Sequence, residues 1–255
     1  MKKRPSFSTI FLILMLVIGL SLLLYPTFAD YWNSFTQSRA IASYTEEIEQ
    51  LAVEDYDHLW QDAYNYNQSL IGRRNDYLLS DEQRAEYNRL LDISGRGIMG
   101  YVEIPSINVQ LPIYHGTDDA VLAVAIGHLE WTSLPVGGPS THCVVSGHRG
   151  LPSARLFTDL DQLSVGDHFM LHTLDQELTY EVDQILIVEP DVTENLLIEE
   201  GKDLVTLVTC TPYGINSHRL LVRGHRIENK KPSESESLFT VTEQKNTPYM
   251  PKSLP

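Results

Sequence analysis

The sequence predicts a mainly β protein: a closed or nearly closed barrel of seven or eight strands, preceded by helices and by one apolar helix long enough to cross a membrane. Three observations predict it. After Gly95 and Gly97 the chain breaks into short runs rich in Val, Ile, Thr and Tyr, punctuated by Pro and Gly, which is how strands read. Before them lie two stretches with helical spacing, and before those a stretch nearly free of charge. With 255 residues and 42% hydrophobic content, there is room for one good-sized domain with appendages around a packed core.

Taken in order, Met1-Lys2-Lys3-Arg4 is basic, and the stretch from Phe7 to Ala29 holds the apolar block Ile10 to Ile18, long enough to span a bilayer as a helix. A cleavable signal peptide shares these features, but Thr27-Phe28-Ala29 is a poor cleavage site, so an uncleaved anchor is expected. The positive-inside tendency then keeps Lys2, Lys3 and Arg4 in the cytoplasm and puts everything after Asp30 outside the cell. From about Ser38 to Ser69, Ile41, Tyr44, Ile48 and Leu51 recur at three-four spacing, which predicts an amphipathic helix. A second helix, about Ser80 to Leu91, opens with Ser80 and Gln83 in a capping-box pattern. Strands are predicted over Gly100–Pro105 and Ile107–Ile113 and near 141–146, 167–173, 177–188, 204–210 and 218–227, with a short helix around 155–163. Closing that many strands on themselves removes exposed edges. From Glu228 the chain is polar and reads as a disordered tail. The expected organisation is a cytoplasmic start at 1–6, a transmembrane anchor at 7–29, a helical region at 30–97, a catalytic barrel at 98–228 and a tail at 229–255.

A net charge of -15 argues against nucleic acid as a partner. Two cysteines, Cys143 and Cys210, are too few for a disulfide scaffold, though they could form one bridge. Cys210 ends the strand-like run Thr206-Leu207-Val208-Thr209-Cys210. A thiol becomes a good nucleophile when a nearby cation stabilises its thiolate. Two candidates are His148, at the end of one predicted strand, and Arg219, at the start of another. If the three strands are neighbours, His148 can exchange protons with the thiol and a leaving amine, while Arg219 steadies an oxyanion or holds the substrate backbone. That combination implies acyl transfer through a thioester. The alternative is Cys210 as a small buried hydrophobe. Cys143 sits in a strand pattern and reads as a packed thiol; His142, His218 and His225 read as ordinary strand or rim residues. Gly137-Gly138-Pro139 reads as a turn, and the His and Cys spacings suggest no metal site and no cofactor.

The motif Thr206-Leu207-Val208-Thr209-Cys210, with His148 upstream and Arg219 on the next strand, resembles the sortases, the Gram-positive cysteine transpeptidases. The string from Cys210 to Arg219 and the segment from Gly97 to Pro105 resemble the class C, pilus-assembling branch. The resemblance implies an eight-stranded barrel with Cys210 as nucleophile, His148 as general acid and base, and Arg219 as oxyanion or substrate stabiliser. It also implies pilin partners: a Leu-Pro-x-Thr-Gly-like sorting signal cut between Thr and Gly, and a pilin lysine as acceptor. A housekeeping sortase acting on peptidoglycan, or a non-catalytic pilus anchor on the same barrel, are the alternatives. Two departures from the branch stand out. There is no Asp-Pro-aromatic lid triplet, Asp76-Tyr77 lacking the proline, and no second membrane segment follows the barrel.

Overall fold

The computed structural model describes residues 6–72 and 78–228. Asp76-Tyr77 and the 229–255 tail lie outside the described residues. Helix α1, Phe7–Glu49, is capped at its start by Ser6, whose hydroxyl accepts the amide of Thr9. No break separates an anchor from an amphipathic helix near residue 29, because nothing between Thr27 and Glu49 is Gly or Pro. The helix expected over 38–69 is instead two: α1 ends at Glu49, Ala52 takes extended backbone, and α2 runs Val53–Leu70. Helix α3, Asp81–Arg89, has the predicted capping box, with Ser80 Oγ accepting from the Gln83 amide and Gln83 Oε1 accepting from the Ser80 amide.

The remainder is β1 (Ile98–Ile104), β2 (Val109–His115), a single helical turn α4 (Asp119–Leu122), β3 (Ile126–His128), β4 (Thr141–Ser146), β5 (His168–Thr173), β6 (Gln176–Val188), β7 (Asp203–Thr211) and β8 (His218–Arg226). They close into an eight-stranded barrel in the order β1-β2-β3-β4-β7-β8-β6-β5. Pairs β2/β3 and β4/β7 are parallel and the other six antiparallel. The sequence reading missed α4 and β3, since three residues are too few to show alternation. Nor does the stretch 155–163 form the expected helix. Leu156 has φ 40°, outside the helical region, and only one 3₁₀ turn forms, at Leu160–Gln162.

One continuous core fills the barrel and extends beneath the helices: Val102, Ile113, Val145, Phe169, Leu171, Val205, Leu207 and Val222 are joined by Trp60, Ala63, Tyr66, Tyr87, Leu90 and Leu91. Tyr87 links the two parts chemically. Its hydroxyl lies 2.9 Å from Nδ1 of the fully buried His128 and accepts the Gly116 amide at 3.0 Å. His128 Nε2 lies 2.8 Å from the carbonyl of Ser133, so Nε2 donates and Nδ1 accepts from Tyr87. Burial lowers the His128 pKa to about 3, keeping the ring neutral.

Strand direction defines two ends of the barrel. β4, β6 and β7 finish, and β3, β5 and β8 begin, at the end that holds Cys210; the tight β5–β6 turn at Leu174-Asp175 lies at the opposite end.

Candidate active site

The middle of the sheet orders three strands side by side, β4, β7 and β8. Alternation sorts their side chains. Cys143 and Val145 of β4, Val205 and Leu207 of β7, and Leu220 and Val222 of β8 enter the main core. Val144, Val208 and Leu221 form a second apolar cluster on the other face, completed by Leu196 and packed by Trp131. Cys210 follows Val208 by two residues and Arg219 precedes Leu221 by two, so both share that outer face.

Cys210 pairs directly with Arg219 across β7 and β8, which sets their Cα atoms about 5 Å apart. On the other side, Ser146 pairs with Val208 in the parallel β4/β7 ladder. The ladder is carried one step further by the Gly147 amide donating to the Val208 carbonyl at 3.0 Å, and by Thr209 Oγ1 donating to the Gly147 carbonyl at 2.8 Å. One more step along this register brings His148 opposite Cys210. Gly147 is required there: a Cβ would stand 2.8 Å from Ile126 and from the ring of Phe157. The three residues singled out in the sequence thus meet at one rim, each partly exposed.

Among the described residues, neither the Cys210 sulfur nor the His148 ring makes a hydrogen bond, and Arg219 has no carboxylate within ion-pair distance; its Nη1 donates to the carbonyls of Asn216 (3.4 Å) and His218 (3.2 Å). An arginine satisfied only by neutral carbonyls keeps its charge available for an anion. His218 instead turns to Glu189, 3.3 Å away, and to Ser217 Oγ. His225 lies 3.9 Å from Asp183.

His142 is buried beneath the β6–β7 connection. Its Nδ1 donates to the Leu197 carbonyl at 2.8 Å and its Nε2 accepts from Thr206 Oγ1 at 2.7 Å. Burial lowers its pKa to about 4. Cys143 is a free, buried thiol whose pKa burial pushes well up. Cys210 is likewise free, so no bridge joins the pair.

Two features had no clear signal in the sequence. Arg149, beside His148, is 9% exposed in its side chain; it pairs with Asp161, donates to Thr211 Oγ1 at 3.2 Å and lies over the Tyr213 ring. It therefore ties the turn carrying His148 to the end of β7 and to the β7–β8 turn. The outer apolar cluster beside Cys210 also depends on which strands become neighbours.

Comparison with known proteins matches residues 102–227 to the Sortase domain family model. Sortase D of Bacillus subtilis (strain 168) is 33% identical over 131 residues, 50% of this chain and 63% of that protein. Sortase A of Bacillus anthracis is 28% identical over 133 residues, 52% of this chain and 61% of that protein. The chain thus matches a little over three-fifths of the length of these curated relatives. Among solved structures, sortase C1 from Streptococcus agalactiae is 50% identical, with 75% of this chain and 100% of that chain covered and a TM-score of 0.74. Streptococcus pneumoniae sortase C is 45% identical, with 76% and 100% covered and a TM-score of 0.68.

Proposed function

The chain belongs to the sortase family, most similar to its class C branch, and from that premise we propose that it is a membrane-anchored cysteine transpeptidase that polymerises pilins. The observation that carries this function is the juxtaposition of Cys210, Arg219 and His148 on neighbouring strands. Cys210 Sγ, as thiolate, attacks the threonine carbonyl carbon of a Leu-Pro-x-Thr-Gly-like signal. The oxyanion that forms faces the Arg219 guanidinium. As the tetrahedral intermediate collapses, the Thr–Gly C–N bond breaks and protonated His148 gives its proton to the leaving glycine amine, leaving a thioester. A pilin lysine amine then attacks the thioester, His148 takes the amine's proton, and the thiolate leaves. Trp131, Leu186 and Val188, the partly exposed residues packed on the outer apolar cluster, offer an apolar surface for the signal, Val188 standing directly across from Arg219. The long apolar half of α1 is the membrane anchor, with the barrel on the outer side.

The test is incubation of the soluble ectodomain with sorting peptides and an amine acceptor, products identified by mass spectrometry. A thioester at Cys210 and a Thr-to-amine product are expected, and Cys210→Ala gives neither. His148→Ala and Arg219→Ala are expected to lower turnover by about 10²–10⁴-fold with the fold kept. Near-normal turnover in either variant removes that residue from the mechanism. A peptidoglycan stem amine preferred over a pilin lysine would assign the chain to housekeeping anchoring instead.

A further inference from the structure

We propose that helix α1 is a rigid strut holding the Cys210 end of the barrel against the outer lipid headgroups, so that the site works at a fixed height at the membrane surface. This rests on the apolar half of α1 being the membrane anchor. Three observations carry it. Phe7 to Leu24 is exposed and almost wholly apolar; 18 helical residues span about 27 Å, close to the hydrocarbon thickness of roughly 30 Å. Directly after it come Tyr25, Phe28, Tyr31 and Trp32, each more than half exposed. Tyr and Trp gather at headgroup level because one end of the ring system is apolar and the other hydrogen-bonds.

The third observation is where the barrel meets this belt. Asp30 Oδ1 accepts the amide of Arg155 at 2.8 Å, and Asn33 Nδ2 donates to the Ser153 carbonyl at 2.7 Å. One turn on, Gln37 Nε2 donates to the Val124 carbonyl at 2.6 Å. Ser153 and Arg155 lie in the β4–β5 connection that His148 opens, and Val124 just precedes β3, so all three contacts are at the Cys210 end. Tyr44 makes the far contact: its hydroxyl donates to the Met99 carbonyl and accepts the Leu174 amide, at the opposite end of the barrel. The 14 residues from Asp30 to Tyr44 cover about 21 Å. The helix therefore lies along the barrel with its membrane half projecting beyond the Cys210 end, and that rim is the part nearest the bilayer.

Pro26 is the one proline inside α1, and it leaves the Leu22 carbonyl without its helical donor. A bend there would tilt the barrel without changing which end leads. Docking also decides against a loose tether. A chain of net charge -15 would be pushed off an anionic surface unless its anchor held it there.

The test uses the full chain in vesicles of phosphatidylethanolamine and phosphatidylglycerol. In a Cys210→Ala background, a nitroxide is attached to Pro152→Cys or to Gln176→Cys, both exposed positions at opposite ends of the barrel. Collision with lipid-dissolved oxygen and with an aqueous nickel chelate reports depth. Position 152 is expected at headgroup level and position 176 fully in water; equal depths, or 176 nearer the lipid, overturn the orientation while leaving the anchor intact. Failure of the chain to float with the vesicles overturns both. As a functional arm, the Asp30→Ala/Asn33→Ala double variant is expected to lose roughly three- to tenfold turnover of a vesicle-anchored sorting peptide and none on the free peptide. Equal loss on both, or loss on neither, removes the strut's role. A native enzyme inactive on free peptide would count against the transpeptidase function alone.

Discussion

The two cysteines differ by which way a strand residue points. Cys143 enters the core, while Cys210 lies on the outer face, one strand over and five residues further along the register, about 16 Å away along the strand. Burial holds Cys143 as the protonated, inert thiol. Native protein is therefore expected to react with iodoacetamide at one thiol per chain, the second appearing only in denaturant. Cys210→Ala should leave no thiol reactive in the native state; two fast thiols, or continued labelling in that variant, would contradict the assignment. At this scale the sequence was legible where chemistry is carried by residue type: a cysteine at a strand end with His148 and Arg219 available. Arg149 was not, because its partners Asp161, Thr211 and Tyr213 come together only through the fold.

At the level of elements, the long strands were legible because each shows several periods of alternation, and the capping box marked the start of α3 at Ser80. Three-residue β3 offered no period, and the seamless join in α1 was hidden by the change from apolar to amphipathic composition near Asp30. The helices before the barrel are also more than a cover for it. Trp60, Tyr66, Tyr87, Leu90 and Leu91 belong to the same core as the barrel interior, and Tyr87 supplies the hydrogen bond that satisfies His128 Nδ1. Tyr87→Ala alone should cost about 3–5 kcal/mol, plus roughly 1–3 kcal/mol for the orphaned ring nitrogen, against a typical total of about 5–15 kcal/mol. A chain trimmed to begin at Gly97 is therefore expected to lack a cooperative unfolding transition, whereas one beginning at Asp30 keeps it. Matching calorimetric transitions in the two would show the barrel to be independent of its helices.

For the molecule as a whole, acid stability is set by a contest between its acidic surface and its buried histidines. His128 and His142 have folded pKa values of about 3 and about 4, both below the ordinary 6.5 that the unfolded chain would show. Between those limits the unfolded state binds protons that the folded state refuses, so stability rises with pH. The contribution is complete above about pH 6.5 and is lost as pH falls toward 4 for His142 and toward 3 for His128. Each histidine contributes a slope of up to about 1.4 kcal/mol per pH unit, so the pair costs on the order of 4 kcal/mol at pH 5. The opposing effect is relief of self-repulsion among the acidic groups of a chain with net charge -15. Ordinary carboxylates titrate near pH 4, so that relief arrives mostly below pH 5, and down to that pH the histidines act largely unopposed. The chain from Asp30 onward should accordingly lose urea resistance steadily from pH 7.5 to pH 5. His142→Asn keeps a donor for the Leu197 carbonyl but cannot titrate; it is expected to be less stable at pH 7.5 and to show about half the wild-type slope. A midpoint that stays flat across this range in the native protein, or a slope unchanged by the substitution, would mean that the buried imidazoles do not govern how this barrel responds to acid.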